Sequence, residues 1–188
     1  IGDEFQRTLG AFYAIYWMLR IDIDGKDGFA NGVDGKWAPI VVEGKDSLRV
    51  TLPEKRMAFK QNAKWGFFQD LLVEAGLIEL KKARTGMFKT AEKFVVNEKR
   101  VTSLLALTAF HDIMKMSLML PTVQAEHAPF HGYEAGTTIG DHDHALSYVL
   151  ERYPQLLPSF RALDARQRQA VIFSQCSLGF NHGWFVQA

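Results

Sequence analysis

The chain has 188 residues, 47% of them hydrophobic, with 14 Phe, 5 Tyr and 4 Trp. That apolar load can fill a packed core and excludes an intrinsically disordered chain, and the length points to a single domain over residues 1–188. The formal net charge is +1, from 22 basic against 21 acidic residues, which leaves no electrostatic footprint for nucleic acid.

In chain order, Phe5, Leu9, Phe12, Tyr16 and Leu19 recur at steps of three or four and predict an amphipathic helix over residues 3–20. Asp22, Asp24, Gly25, Asp27 and Gly28, followed by Gly32, Asp34 and Gly35, predict a loop by their turn chemistry. The segment departs from a calcium loop in its glycine spacing and has no closing glutamate. Residues 37–42 and 47–52 alternate on either side of Glu43-Gly44-Lys45-Asp46, which predicts a small N-terminal β-hairpin at about 37–52. Two strands alone are marginal, so the hairpin is expected as an appendage packed on helices.

Pro53 and Glu54 open a helix expected to reach residue 74 or 75, with Trp65, Phe68, Leu71 and Leu72 as its buried stripe and Gly76 as its stop. Residues 77–96 are ambiguous, and either Thr90 or Asn97 could cap the next helix. From 98 to 120 apolar side chains cover nearly every face, which predicts a central buried helix ended by Pro121. A loop rich in His, Gly and Pro follows, to about residue 140. Asp141 is placed to cap a helix running through Tyr153, and Pro154 and Pro158 bracket a connection. Asp164 with Gln167 has capping-box spacing, for a helix that should carry Val171, Ile172 and Phe173 inward. The expected fold is mainly α, a helical bundle with a small N-terminal β-hairpin appendage.

Cys176 is the one cysteine. It can form no internal disulfide, is compatible with a reducing compartment, and among apolar neighbours is expected to be a buried small hydrophobe. No run of 18–20 uncharged apolar residues predicts a membrane span. The opening Ile1 and the closing residues 184–188 give the chain the look of part of a longer protein.

The chemistry concentrates after residue 110, where all six histidines lie: His111, His127, His131, His142, His144 and His182. His111 and Asp112 sit in the most apolar segment, with Lys115 one helical turn after His111. Ionisable groups there are costly unless they are paired, bound to metal or used in chemistry. Imidazoles beside the carboxylates Asp112, Asp141 and Asp143 suit one or two divalent ions such as iron, manganese or zinc. Neighbouring residues on a helix point about 100° apart. His111 and Asp112 therefore share an ion only at a helix end or kink, or with two ions bridged by the Asp. Lys115 could hold an anionic oxygen, and free N–H groups at the helix start near His142 and His144 favour phosphate. His127 and His131 could be loop ligands, gate residues or substrate contacts, and His182 is expected in a turn. The same His-Asp-Lys trio could instead form a self-satisfied network with Asp112 and Lys115 paired.

The segment His111-Asp112-Ile113-Met114-Lys115 resembles the His-Asp-x-x-Lys signature of the HD-domain superfamily, and the resemblance extends over about residues 98–150. It implies an all-helical, HD-like core that holds one or two divalent metals. Most members of that family hydrolyse nucleotides or phosphomonoesters, and a minority are di-iron oxygenases. Carried over by position, His111 and Asp112 are the central metal ligands and Lys115 accompanies them. His131 or His127, then His142 or His144, match the added histidines of two-metal members. The family's first histidine lies upstream, whereas residues 1–110 contain none and only Glu92 could ligate in the corresponding region. The deeper position of the last helix carries Ser174, Gln175 or Asn181 in place of a final Asp.

Three functions follow as expectations. The first is a metal-dependent phosphohydrolase acting on a small phosphorylated substrate. In it His111, Asp112, His142 and His131 are ligands, Lys115 holds a phosphate oxygen, and His144 handles a proton. The second is a non-catalytic helical protein with a degenerate HD-like core and a protein partner. The third is a di-iron oxygenase on the same residues.

Overall fold

The computed structural model describes residues 2–32, 50–84 and 90–178. The protein is mainly helical, with one two-stranded antiparallel sheet among the described residues. The chain divides into two compact units. One is formed by Ile1–Ala11 with Glu98–Ala188, the other by Phe12–Asn97. Among the described residues no helix is long and apolar enough to cross a membrane.

In the Phe12–Asn97 unit, helix α1 (Gly2–Met18) enters from the other unit and buries Ala14, Ile15 and Met18. The stripe read from the sequence is not the buried one: Phe5, Leu9 and Tyr16 are exposed. On the buried face Ala11 and Ala14 let neighbours approach closely, and Ile15 and Met18 fill the contact. The expected Asp/Gly loop is also helical. A π-turn over Ile21–Gly25 runs into α2 (Lys26–Asn31), and Arg20 clamps Asp24 in a two-pronged ion pair at 2.7 and 2.8 Å. Gly25 and Gly28 serve close approach here. A Cβ on Gly25 would lie 2.1 Å from the Trp17 carbonyl oxygen, and one on Gly28 would lie 2.0 Å from the Trp17 ring.

The single helix expected after Pro53 is two, α3 (Leu52–Asn62) and α4 (Trp65–Glu74), broken at Ala63 and Lys64. Thr51 and Glu54 form a capping box at the start of α3. Trp65 and Leu72 are buried as expected, whereas Phe68 and Leu71 are exposed together with Phe67. Trp65 donates its indole N–H to the Lys60 carbonyl at 2.7 Å and packs edge-on to Phe59. Gly76, at φ 66°, ends the segment in the left-handed region that favours glycine. The sheet falls in the ambiguous stretch: β1 (Ile78–Arg84) pairs with β2 (Thr90–Val96), from Ile78 opposite Val96 to Arg84 opposite Thr90. Residues 37–49 of the hairpin expected at 37–52 lie outside the described residues, and Leu52 opens α3.

The other unit carries the main core. Helices α5 (Glu98–Phe110), α6 (His142–Arg152), α7 (Pro158–Arg161) and α8 (Ala165–Ser177) surround Leu107, Phe110, Leu146, Tyr148, Leu150, Phe160 and Val171. Phe110 and Phe160 meet edge to face with centroids 6.2 Å apart. Both predicted caps form. Asp141 accepts from the Asp143 and His144 N–H groups, and Asp164 and Gln167 close a reciprocal box. Gln167 also donates to the Lys99 carbonyl at 2.7 Å, and Lys99 reaches Asp164 at 2.9 Å, which joins the start of α8 to α5. Val171 points inward and Ile172 partly so, but Phe173 is exposed.

Candidate functional site

The helix expected to run to residue 120 ends ten residues earlier. The His111 N–H closes the last turn on the Leu107 carbonyl, and the chain then tightens into 3₁₀ turns at Ile113–Lys115 and Ser117–Met119. No Gly or Pro marks this end in the sequence. It places His111 and Asp112 at the C-terminal end of α5, the one place on a helix from which neighbouring side chains can converge. Both are buried, and His111 Nε2 lies 3.4 Å from Asp112 Oδ1.

Lys115 pairs with Asp112 and not with the His111 face. In a 3₁₀ turn residues i and i+3 eclipse one another, and Lys115 Nζ sits 2.9 Å from Asp112 Oδ2. Glu4, from the first turns of α1, brings Oε2 to 3.7 Å from Lys115 Nζ. Burial works to raise the Asp112 pKa. The hydrogen bond from Lys115, together with its charge, leads the effects that outweigh it and hold the carboxyl below its ordinary value.

Behind His111, the buried Gln175 of α8 lies with Oε1 2.9 Å from His111 Nδ1, and its Nε2 donates to Asp143 Oδ1 at 2.7 Å. Asp143 in turn lies 3.6 Å from His142 Nε2. A continuous polar path therefore runs from Glu4 and Lys115 through Asp112, His111 and Gln175 to Asp143 and His142. Ser147, beside it, donates to the Asp143 carbonyl at 2.7 Å and contacts the Cys176 sulfur. Burial raises the pKa of the half-buried Cys176, which works against thiolate formation there.

The other predicted residues form a separate pair. The rings of His131 and His144 stack nearly parallel, 13° apart with centroids at 4.6 Å. A metal ion lies in the plane of the imidazole that binds it, and two stacked parallel rings offer it no common plane. His131 also takes φ 45°, unusual outside glycine. His144 Nδ1 lies 3.8 Å from Asp141 Oδ1. The Asp141 pKa is lowered, first by the backbone hydrogen bond from His144. Asp141→Ala should cost about 1 kcal/mol through loss of the cap, read as a lower urea midpoint with unchanged slope. His127 bonds through Nδ1 to the buried Tyr148 hydroxyl at 2.8 Å, and that hydroxyl accepts the Gln124 N–H at 2.9 Å. His127 is thereby held in the core packing.

Two members of the path were not picked out from the sequence. Glu4 lies more than a hundred positions from Asp112 and carries no motif. Gln175 was noted only as an occupant of the position where the family places an Asp. Glu92 is exposed on β2, and Asn181 and His182 lie outside the described residues. Among the described residues, no group of three or more His, Cys, Asp or Glu side chains is arranged to hold a metal ion. No protein-family model, no curated protein and no solved structure matches this chain.

Proposed function

We propose that the protein is a metal-dependent hydrolase of the HD type, acting on a phosphate ester or nucleotide, with its centre at His111 and Asp112. The observation that supports this is the pair of buried donors His111 Nε2 and Asp112 Oδ1, 3.4 Å apart. Two ligands of one divalent ion, each about 2.1 Å from it, stand about 3.0–3.4 Å from one another. The donor types suit manganese, iron or zinc. His111 and Asp112 would be the two protein ligands of the ion. Waters and phosphate oxygens would take the remaining positions, as they do for hard cations bound by few carboxylates. The chemistry supplied by a bound divalent ion would be a more acidic water and compensation of charge developing on phosphorus oxygens.

The chain's own groups do the rest. Lys115 keeps Asp112 ionised. Its side chain is 34% exposed, so its ammonium can turn from the carboxylate towards an incoming phosphate oxygen. Gln175 fixes the orientation of His111. His144, on the first turn of α6 and partly exposed, is the candidate proton donor to a leaving group.

Elemental analysis of the purified protein by plasma mass spectrometry tests the proposal. About one or two equivalents of manganese, iron or zinc are expected in the wild type and none in His111→Ala or Asp112→Ala, with far-ultraviolet circular dichroism near native in all three. Absence of stoichiometric metal from the wild type, also after incubation with Mn²⁺, would sink the hydrolase assignment. It would favour the non-catalytic interaction protein, for which the exposed Phe67, Phe68 and Leu71 face of α4 speaks.

A further inference from the structure

We propose that the cleft between α2 and α3, in the Phe12–Asn97 unit, binds a small phosphomonoester, with Lys26, Arg56 and Lys60 taking its phosphate. The face of α3 that lines this cleft is Pro53, Arg56, Met57, Lys60 and Gln61. These positions are spaced i, i+3, i+4, i+7 and i+8, the stripe that a helix turns to its neighbour and ordinarily fills with apolar side chains. In α3 two of the five are cations and one is an amide, and the helix has no fully buried residue. It is anchored elsewhere, by the Phe59 ring against Trp65 and by the Lys60 carbonyl, which accepts the Trp65 indole N–H. The facing wall is one side of α2, with Lys26, Asp27, Ala30 and Asn31.

The charges of the two walls do not cancel. Three cations meet one carboxylate, Asp27, which pairs with Lys60 across the cleft. Glu54, the other carboxylate on these helices, caps the start of α3. Its Oε2 accepts from the Thr51 N–H at 2.8 Å and from the Thr51 hydroxyl at 2.7 Å. A cleft whose walls carry an excess of one sign focuses its field on a ligand of the other. A phosphomonoester fits that excess, with about −1.5 to −2 charge at pH 7 and three acceptor oxygens, whereas a carboxylate brings a single charge. The open cleft measures about 700 Å³, a volume typical of small-molecule sites and larger than a bare phosphate fills. Ala30, Pro53 and Met57 give it an apolar strip for an organic part, and Met57 is 62% exposed. Asn31 and Gln61 add amides that can both donate and accept.

Isothermal titration calorimetry of the full chain, with phenyl phosphate as the probe, tests the proposal. EDTA in the buffer keeps the probe from hydrolysis at any metal centre. The wild type should bind the probe. Lys26→Gln with Lys60→Gln should weaken binding about 10–100-fold, with far-ultraviolet circular dichroism near native. Asp27→Asn should tighten it roughly two- to fivefold, because it releases Lys60 from an exposed ion pair, and misfolding cannot produce a gain. His111→Ala should bind as the wild type does, so failure of the hydrolase assignment leaves this result untouched. A wild type that binds no phenyl phosphate overturns the proposal. So does an affinity indifferent to the double lysine variant, lowered by Asp27→Asn or lost in His111→Ala. Benzoate or inorganic phosphate bound as tightly as phenyl phosphate overturns the assignment of the ligand as a phosphomonoester.

Discussion

Replacing Lys115 with methionine should destabilise the protein by about 2–3 kcal/mol at neutral pH, below the cost of breaking a fully enclosed ion pair because the lysine is partly solvated. The asymmetry of the pair sets this size. Asp112 has a side chain 7% exposed, against 34% for Lys115. Removing the lysine leaves a buried carboxylate facing Glu4 with its nearest cation gone, whereas methionine fills the same volume and keeps the packing. The pH dependence gives the signature. The folded-state pKa of Asp112 is lowered, so its stabilising contribution is fully present above the unfolded value of about 3.9 and is lost as pH falls through the folded value. In Lys115→Met the carboxyl takes up a proton at higher pH. The gap between wild type and variant in urea melts should therefore be widest near pH 7 and close below about pH 4. A gap that stays constant across that range would show that Lys115 acts through packing and not through charge.

The second large effect is expected at Gly25. Gly25→Ala should cost about 3 kcal/mol, the upper end of ordinary overpacking. The added methyl would meet the Trp17 carbonyl oxygen at 2.1 Å and the Arg20 carbonyl carbon and oxygen at 2.8 and 2.9 Å. All three are backbone atoms, so no side-chain rotation relieves the clash, and the π-turn after α1 must open. Gly28→Ala meets the Trp17 ring at 2.0 Å. It should be costly as well, but the ring can tilt, so a smaller loss is expected. Gly66 provides the contrast. It lies in the first turn of α4 with nothing within 4 Å of its virtual Cβ, and Gly66→Ala should stabilise by about 0.4–1 kcal/mol. Chemical denaturation of the three variants should rank them Gly66→Ala above wild type, then Gly28→Ala, then Gly25→Ala. A neutral Gly25→Ala would mean that the π-turn is not the native backbone.

The mainly helical class, the caps at Asp141 and Asp164, the stop at Gly76 and the proximity of Asp112 to His111 and Lys115 were legible in the residues. These are local matters: a cap oxygen meets N–H groups two or three residues on, and residues 111–115 are too near one another to separate. Which apolar face is buried was settled by the packing of separate helices. Periodicity marks Phe5, Leu9 and Tyr16 as a stripe but does not say whether anything packs against it, and the face carrying Ala11, Ala14, Ile15 and Met18 is the one that is covered. The end of α5 at Phe110 was hidden for a related reason, since an all-apolar run carries no signal for where hydrogen bonding tightens from α to 3₁₀. That change set Lys115 against Asp112, the pairing that the residues themselves had left as one alternative. The glycines near Asp24 carry the composition of a loop, yet they are there for the approach of Trp17. Gln175 and Glu4 meet the site from far along the chain, and no local pattern encodes a meeting made by the packing of separate helices.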